Sequence, residues 1–232
     1  MIKHTQGIVL SSVKYAESSV VCKIYTQELG LQSYLINGVR KRRGTSSYYQ
    51  PLSLLDMVVY HKEKGGLQRV KEVKFAHQYK SIPFHVLKSS VALFLAEVLS
   101  KCLREEEQNN ELFDFLLSSF IRIDQNEFSS IVHLHFLLDL SVYLGFYPNR
   151  SNSNFPFFDL INGCFTQKAP VHKHFIGEPL ITTFTALLNQ EKEMTISNKK
   201  ALVDKLLEYY ELHLDGFTNV RSHEILETVL NT

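Results

Sequence analysis

The chain has 232 residues, of which 44% are hydrophobic and 21% are charged, and its formal net charge is +1. This composition excludes an intrinsically disordered chain, and the lack of an apolar run near about 18 residues argues against a membrane span or a signal peptide. The three cysteines, Cys22, Cys102 and Cys164, are far apart and form no CxxC pair. They favour a reducing compartment, so we expect a cytoplasmic protein.

The small net charge conceals a strong asymmetry along the chain. Residues 1–80 contain 13 Lys and Arg against 5 Asp and Glu, a balance of +8, whereas residues 81–232 have a balance of −7. Such a division predicts a region that faces a polyanion, joined to a region with a different task.

The first 80 residues have the pattern of a small all-β domain. Five short runs rich in Val, Ile, Leu and Tyr alternate with turn signals and predict strands at 7–12, 18–26, 31–37, 52–60 and 67–75. Five strands with no long helix between them favour a closed barrel. The OB-fold, which binds single strands on one face, is the leading candidate, and an SH3-like barrel remains an alternative.

A glycine-bracketed segment between the third and fourth predicted strands is the strongest functional signal. It contains four consecutive cations followed by two tyrosines: Arg40, Lys41, Arg42, Arg43, Tyr48 and Tyr49. Cations neutralise phosphates and exposed rings stack on bases, so the segment predicts a nucleic-acid contact, although a run of cations can also be only a solvated face. Neighbouring residues of a strand point to opposite faces, so we expect one tyrosine in the core and the other free to stack.

Two lysines of the fifth predicted strand, Lys71 and Lys74, are candidates to extend this basic surface. Residues three apart on a regular strand face opposite sides. We therefore expect only one of the two to contribute.

After Pro83 the apolar period becomes helical, which predicts a helical domain over 81–232 following a barrel domain over 1–80. The apolar spacing predicts a helix near 129–144, and later helices near 197–214 and 222–230. The intervening region, near 147–178, has no clear period. It is long for a passive connection, so we expect a hairpin or small module there.

Several segments, in order, resemble the RecO family of bacterial recombination mediators. They are Gly7-Ile8-Val9-Leu10, Tyr15-Ala16-Glu17-Ser18, Tyr25-Thr26-Gln27-Glu28-Leu29-Gly30, Gly38-Val39-Arg40, Gln50-Pro51-Leu52, Asn109-Asn110-Glu111-Leu112-Phe113 and Leu144-Gly145-Phe146-Tyr147-Pro148. The resemblance implies an α+β protein: an N-terminal five-stranded OB-fold barrel followed by an all-helical domain that carries a small zinc-binding module. The family's basic loop falls on Arg40 to Arg43.

The resemblance also implies a function and its partners. Family members bind single- and double-stranded DNA, anneal complementary strands, and work with RecR to load RecA onto DNA coated by the single-stranded-DNA-binding protein SSB. They turn over no substrate, and they act in the bacterial cytoplasm at the nucleoid. RecR is met through the barrel, and the acidic SSB tail docks on the helical domain, where four cations are candidates for the groove: Lys88, Lys101, Arg104 and Arg122.

The chain departs from the family at the metal module. Zinc-bearing members have four cysteines in two close pairs, whereas only Cys164 is present here, and with His172 and His174 it supplies at most three ligands. We therefore expect a degenerate, metal-free, zinc-finger-like module and no cofactor, with an unusual fourth ligand as the alternative. Four aromatic residues are expected to replace the metal as the local core: Phe155, Phe157, Phe158 and Phe165.

Catalytic motifs give no support for an enzyme. The sequence has no P-loop and no GxGxxG between a strand and a helix, and no motif couples a nucleophile to a base. The alternative to a DNA-binding mediator is a protein-interaction adaptor with little DNA affinity of its own.

Overall fold

The computed structural model describes residues 1–39, 45–62, 65–104, 107–190 and 199–230. Its contacts divide the chain into two compact units, Met1–Glu127 and Phe128–Thr232. The first unit holds five strands and the helices up to residue 125. The predicted boundary near residue 80 therefore marks a change from strands to helices, whereas the compact unit continues beyond it.

The five predicted strands are all present in the first unit. They are β1 (Ile2–Lys14), β2 (Val20–Thr26), β3 (Gly30–Ile36), β4 (Leu54–Tyr60) and β5 (Gln68–His77). Strand β1 pairs antiparallel with both β2 and β4, while β3 pairs parallel with β5, so the order β1-β2-β3-β5-β4 closes on itself as a barrel. The contact that closes the barrel is short, with Tyr34 paired to Gln68 and Leu35 to Arg69.

Alternating residues of each strand fill the barrel. On β2 and β3, Cys22, Ile24, Tyr34 and Ile36 are buried in one core cluster. Gly7 on β1 is required by this packing, because a Cβ atom there would lie 2.6 Å from Cγ2 of Ile24. The period of two in the sequence thus sets which side chains face inward.

Three α-helices and one 3₁₀ turn complete the first unit. They are α1 (Thr45–Tyr48), the 3₁₀ turn Ile82–Phe84, α2 (Val86–Cys102) and α3 (Asn110–Gln125). The side chain of Asn109 caps α3 by accepting a 3.0 Å hydrogen bond from the backbone N–H of Leu112. Helix α3 contacts the outside of β2, where the rings of Tyr25 and Phe113 are 6.3 Å apart.

A buried carboxylate at the end of α3 holds the exit of the barrel, which is the segment that follows β5. The carboxylate of Asp124 at the end of α3 accepts hydrogen bonds from the backbone N–H groups of Lys80, Ser81 and Ile82, at 2.8 to 2.9 Å. The buried ammonium of Lys88 on α2 donates to the Ser81 hydroxyl at 2.7 Å and to two backbone carbonyls near the end of α3. These bonds explain why α2 and α3 belong to the same compact unit as the barrel.

The second unit contains four helices and a small sheet within its described residues. They are α4 (Val132–Tyr143), β6 (Phe157–Asp159), β7 (Cys164–Thr166), β8 (Phe175–Ile176), α5 (Leu180–Leu188), α6 (Lys199–His213) and α7 (Ser222–Leu230). The antiparallel sheet β7-β6-β8 is the small module expected near 147–178. Among the described helices of both units, none is long and apolar enough to cross a membrane.

Candidate nucleic-acid interface

The basic segment Arg40, Lys41, Arg42 and Arg43 lies outside the described residues. The chain on either side of it is fixed to the barrel. Val39 and Tyr49 are both buried in the barrel core cluster, and α1 begins at Thr45. The described residues on both sides of this segment are therefore held by the barrel.

The two tyrosines after the basic segment are placed differently from what a strand would give. Residues 45–48 form a helical turn, so the alternation expected of a strand does not apply to Tyr48 and Tyr49. Tyr49 is a core residue, and burial raises the pKa of its hydroxyl. Tyr48 is half-buried and stacks on Phe75 with ring centroids 4.5 Å apart. Tyr49 has no ring face open to a base, and Tyr48 has one face already covered.

Lys71 and Lys74 are both exposed, contrary to the expectation that they face opposite sides. The reason is a β-bulge, since the register between β4 and β5 shifts between Val58 and Val59 and adds a residue to β5. Each ammonium is near a carboxylate, Lys71 with Glu72 at 3.3 Å and Lys74 with Asp56 at 3.1 Å. Exposed pairs of this kind are weak, so they leave both lysines able to contact a phosphate.

Three further cations on the barrel strands are exposed, and no run of cations marks them in the sequence. Lys14, Lys23 and Arg69 are exposed, and no carboxylate among the described residues forms an ion pair with any of them. They are isolated in the sequence. Only the register of the barrel shows that Lys23 and Arg69 share its outer surface.

The small module in the second unit does not present a zinc site in its described residues. Cys164 is a free thiol, His172 lies 3.4 Å from Oδ1 of Asp159, and His174 lies 2.7 Å from Oε1 of Glu208. Across the described ranges, no three His, Cys, Asp or Glu side chains are grouped to hold a metal ion. Structural zinc requires four ligands in a tetrahedron, and this donor set does not fit it.

Aromatic side chains form the core of the module. Phe158 is fully buried, with its ring centroid 5.0 Å from that of Phe165, 4.7 Å from Phe184 and 6.0 Å from Tyr209. Of the four predicted aromatic residues, Phe158 and Phe165 are buried and the other two, at positions 155 and 157, are half-buried.

A tight turn closes the module at Asp159. Its carboxylate accepts hydrogen bonds from the backbone N–H groups of Ile161 and Asn162 and from the Asn162 side chain, at 2.7 to 3.1 Å. Burial alone raises the pKa of this carboxyl, but the hydrogen bonds and the nearby His172 outweigh it and lower the pKa. The turn between β6 and β7 is thus held by an ionised side chain.

A closed five-stranded barrel, followed by helices that flank a small three-stranded sheet, defines an α+β protein whose N-terminal half has the architecture of an OB-fold. Two family models match it, Recombination protein O N terminal over residues 1–79 and Recombination protein O C terminal over residues 84–158. The chain is 35% identical to the DNA repair protein RecO of Flavobacterium psychrophilum over 98% of each chain, and 35% identical to that of Christiangramia forsetii over 99% of each chain.

The chain belongs to the RecO family of DNA repair proteins. This confirms the resemblance drawn from the sequence. It also decides between the two barrel types, because the N-terminal domain of this family is an OB-fold.

Proposed function

We propose that the chain is a non-enzymatic recombination mediator that binds single- and double-stranded DNA through the outer surface of its barrel and anneals complementary strands. Together with RecR it helps to load RecA onto DNA coated by SSB, in the bacterial cytoplasm at the nucleoid. The observation that carries the proposal is that both RecO family models match in order along one chain. The surplus of cations in residues 1–80 gives the barrel the charge that a polyanion requires.

The electrostatics of the barrel surface support DNA as the ligand. Lys14, Lys23 and Arg69 are exposed and have no carboxylate partner among the described residues. Cations of this kind attract phosphates without first breaking an ion pair. Binding through such contacts releases condensed counterions and falls steeply with salt, at a slope of about −0.7 per phosphate on a single strand.

A titration at several salt concentrations tests the proposal. The full chain is added to a fluorescein-labelled, mixed-sequence single strand and to its duplex, and binding is followed by fluorescence anisotropy. We expect binding to both, with a linear fall of log affinity against log salt, and faster pairing of two complementary strands in an annealing assay. An anisotropy that stays at the free-DNA value at low salt contradicts the proposal.

The alternative, a protein-interaction adaptor with little DNA affinity, has one observation in its favour. Phe84, Val86 and Leu93 are 84%, 69% and 55% exposed, which is unusual for large apolar side chains. Phe84 and Leu93 also line a cavity of about 450 Å³ in the first unit. The same titration separates the two functions, because an adaptor keeps this apolar surface and does not bind the labelled DNA.

RecR and the SSB tail are the proposed protein partners of the chain. Of the four cations predicted to line a groove for the tail, Lys88 is excluded, because its ammonium is buried and donates to the Ser81 hydroxyl and to backbone carbonyls. Lys101 lies 3.8 Å from Glu97 on α2, while Arg104 and Arg122 are exposed. A groove for an acidic tail on this part of the chain therefore depends on Lys101 and the two arginines.

We propose that the small module folds without metal and that Phe158 takes the structural role of the ion. Replacing Phe158 by alanine is expected to lower the free energy of unfolding by about 3–5 kcal/mol, because it removes a fully buried ring. Denaturation followed by circular dichroism measures the change. Val171, a fully exposed residue near β8, provides the control, and its replacement by alanine is expected to change stability by no more than about 0.5 kcal/mol.

The metal-free state has its own measurement. Elemental analysis of the purified chain is expected to find no stoichiometric zinc, and a strong chelator is expected to leave the melting temperature unchanged. One equivalent of zinc per chain, released with loss of structure by the chelator, contradicts the proposal.

A further inference from the structure

The strand register places five residues in one continuous row across the outside of the barrel. Tyr60 on β4 is paired with Arg69 on β5, Arg69 with Leu35 on β3, Leu35 with Val21 on β2, and Val21 with Val13 on β1. This outer row consists of Tyr60, Arg69, Leu35, Val21 and Val13. Neighbouring strands lie about 4.8 Å apart, so the row is about 19 Å long.

The row faces away from the barrel interior along its whole length. Its strand neighbours Val59, Tyr34 and Cys22 are core residues, so row positions alternate with buried ones. The two ends are the most open apolar positions, with Tyr60 44% exposed and Val13 63% exposed. A barrel strand surface that needed only to face water would carry polar side chains at such positions.

Two rings and two cations lie along and beside this row. Tyr15, 63% exposed, lies just past the end of β1 and two residues beyond Val13. Lys23 lies on the same face of β2, two residues from Val21, and Arg69 lies within the row. Neither Tyr15 nor Tyr60 has a ring partner among the described residues, and both side chains are exposed.

The row also leads towards the basic segment. The hairpin turn between β1 and β2 is joined to the end of β3 by a 3.1 Å hydrogen bond from the Ser19 hydroxyl to Oδ1 of Asn37. Asn37 is three residues before Arg40, the first cation of the basic segment. The hairpin turn that follows Tyr15 is thus held beside the end of β3, three residues before Arg40 in the chain.

We propose that the outer row is the track on which a single strand of DNA lies, with Tyr15 and Tyr60 stacking on bases and Lys23 and Arg69 holding phosphates. This inference rests on the proposed function and adds to it the path of the strand and the residues that read its bases. Charge complementarity favours a nucleic acid over a protein here, because Lys23 and Arg69 form no ion pair with any carboxylate of the described residues. Stacking on a ring is tolerant of sequence, as a mediator requires, since every base has a π face.

Two oligonucleotides separate stacking from phosphate contacts. One is a short fluorescein-labelled oligothymidylate, and the other is the same backbone with abasic sites in place of the bases. Tyr15→Ser/Tyr60→Ser is expected to weaken binding of the oligothymidylate by at least about fivefold for each ring and to leave the abasic strand unaffected. Lys23→Gln/Arg69→Gln is expected to weaken both strands and to reduce the salt slope by about 1.4.

Matched controls lie away from the row. Phe84→Ser removes an exposed ring of the same unit, and Lys168→Gln/Lys173→Gln removes two exposed cations of the second unit. Both are expected to bind as the wild type does. All replaced side chains are exposed, so thermal melting is expected to show wild-type stability for each variant.

The outcomes distinguish this inference from the function on which it rests. If the wild type binds DNA and the two row variants bind with wild-type affinity and salt slope, the outer row is not the DNA track. The proposed function then stands, and a protein contact becomes the explanation for the row. If the wild type binds neither strand at low salt, both proposals are overturned. Selective loss of the oligothymidylate in the tyrosine variant supports the track.

Discussion

Replacement of Asp124 by alanine is expected to lower the free energy of unfolding of the first unit by about 3–5 kcal/mol. The change leaves the backbone N–H groups of Lys80, Ser81 and Ile82 without their acceptor, at distances where each now donates to the carboxylate. It also removes the carboxylate of the residue whose backbone carbonyl accepts a hydrogen bond from the buried ammonium of Lys88. Denaturation of the full chain followed by circular dichroism measures the loss, since the chain has no tryptophan.

Asp114 on the same helix is the matched control. It is exposed, and its replacement by alanine is expected to change stability by no more than about 0.5 kcal/mol. If Asp124→Ala unfolds with the same denaturation midpoint as Asp114→Ala, the buried carboxylate does not hold the exit of the barrel.

Acid provides an independent test of the same group. Burial alone raises the pKa of Asp124, but hydrogen bonds from the backbone of Lys80, Ile82 and Ser81 and from the Ser81 hydroxyl outweigh it and lower the pKa to about 2. Because the folded pKa lies below the unfolded value of 3.8, the ionised carboxylate stabilises the fold above about pH 4, and this stabilisation is lost as the pH falls towards 2.

The size of the acid effect follows from that shift. Ionisation of Asp124 contributes about 2 kcal/mol at neutral pH. The stability difference between the wild type and Asp124→Asn is therefore expected to shrink by about this amount between pH 5 and pH 2, measured by urea denaturation at each pH. A difference that stays constant over this interval contradicts the assignment.

Simultaneous replacement of Arg40, Lys41, Arg42 and Arg43 by alanine is expected to reduce the affinity for all single-stranded sequences alike. Each phosphate contact that is lost removes about 0.7 from the salt slope, so the full set accounts for a change of up to about 2.8. The measurement is fluorescence anisotropy with two labelled strands of unrelated sequence at several salt concentrations. Loss that depends on the sequence of the strand contradicts a contact made to phosphates.

The control for this variant removes cations without touching the barrel. Lys168→Ala/Lys173→Ala lowers the charge of the exposed surface of the second unit and is expected to leave affinity and slope unchanged. If the two variants weaken binding equally, the effect comes from net charge alone and not from the basic segment.

The residues of the candidate interface were only partly accessible to sequence reasoning. The run of four cations is a local signal that the sequence shows directly. Lys23 and Arg69, in contrast, are 46 positions apart in the chain and share a surface only through the pairing of β2, β3 and β5. The sequence likewise leaves open which of the two tyrosines, Tyr48 or Tyr49, enters the core. A short helix places the ring of Tyr49 in the barrel core, and no local pattern in the sequence predicts that helix.

The lysines of β5 show how one extra residue changes the outcome. A regular strand puts Lys71 and Lys74 on opposite sides, and a bulge puts both on the outside. A bulge depends on how two strands meet, so the sequence of one strand does not reveal it.

The five strands, the helical pattern that follows them, the charge asymmetry and the family can all be predicted from the sequence alone. Each of these depends on local period, composition or ordered short motifs. Which distant residues become neighbours depends on the folded chain. Strand pairing forms the outer row across the barrel, and the hydrogen bonds that Asp124 accepts join the end of α3 to the segment after β5. Hydrogen bonds and packing act over a few ångströms in space, and only folding brings residues from distant positions of the chain within that range.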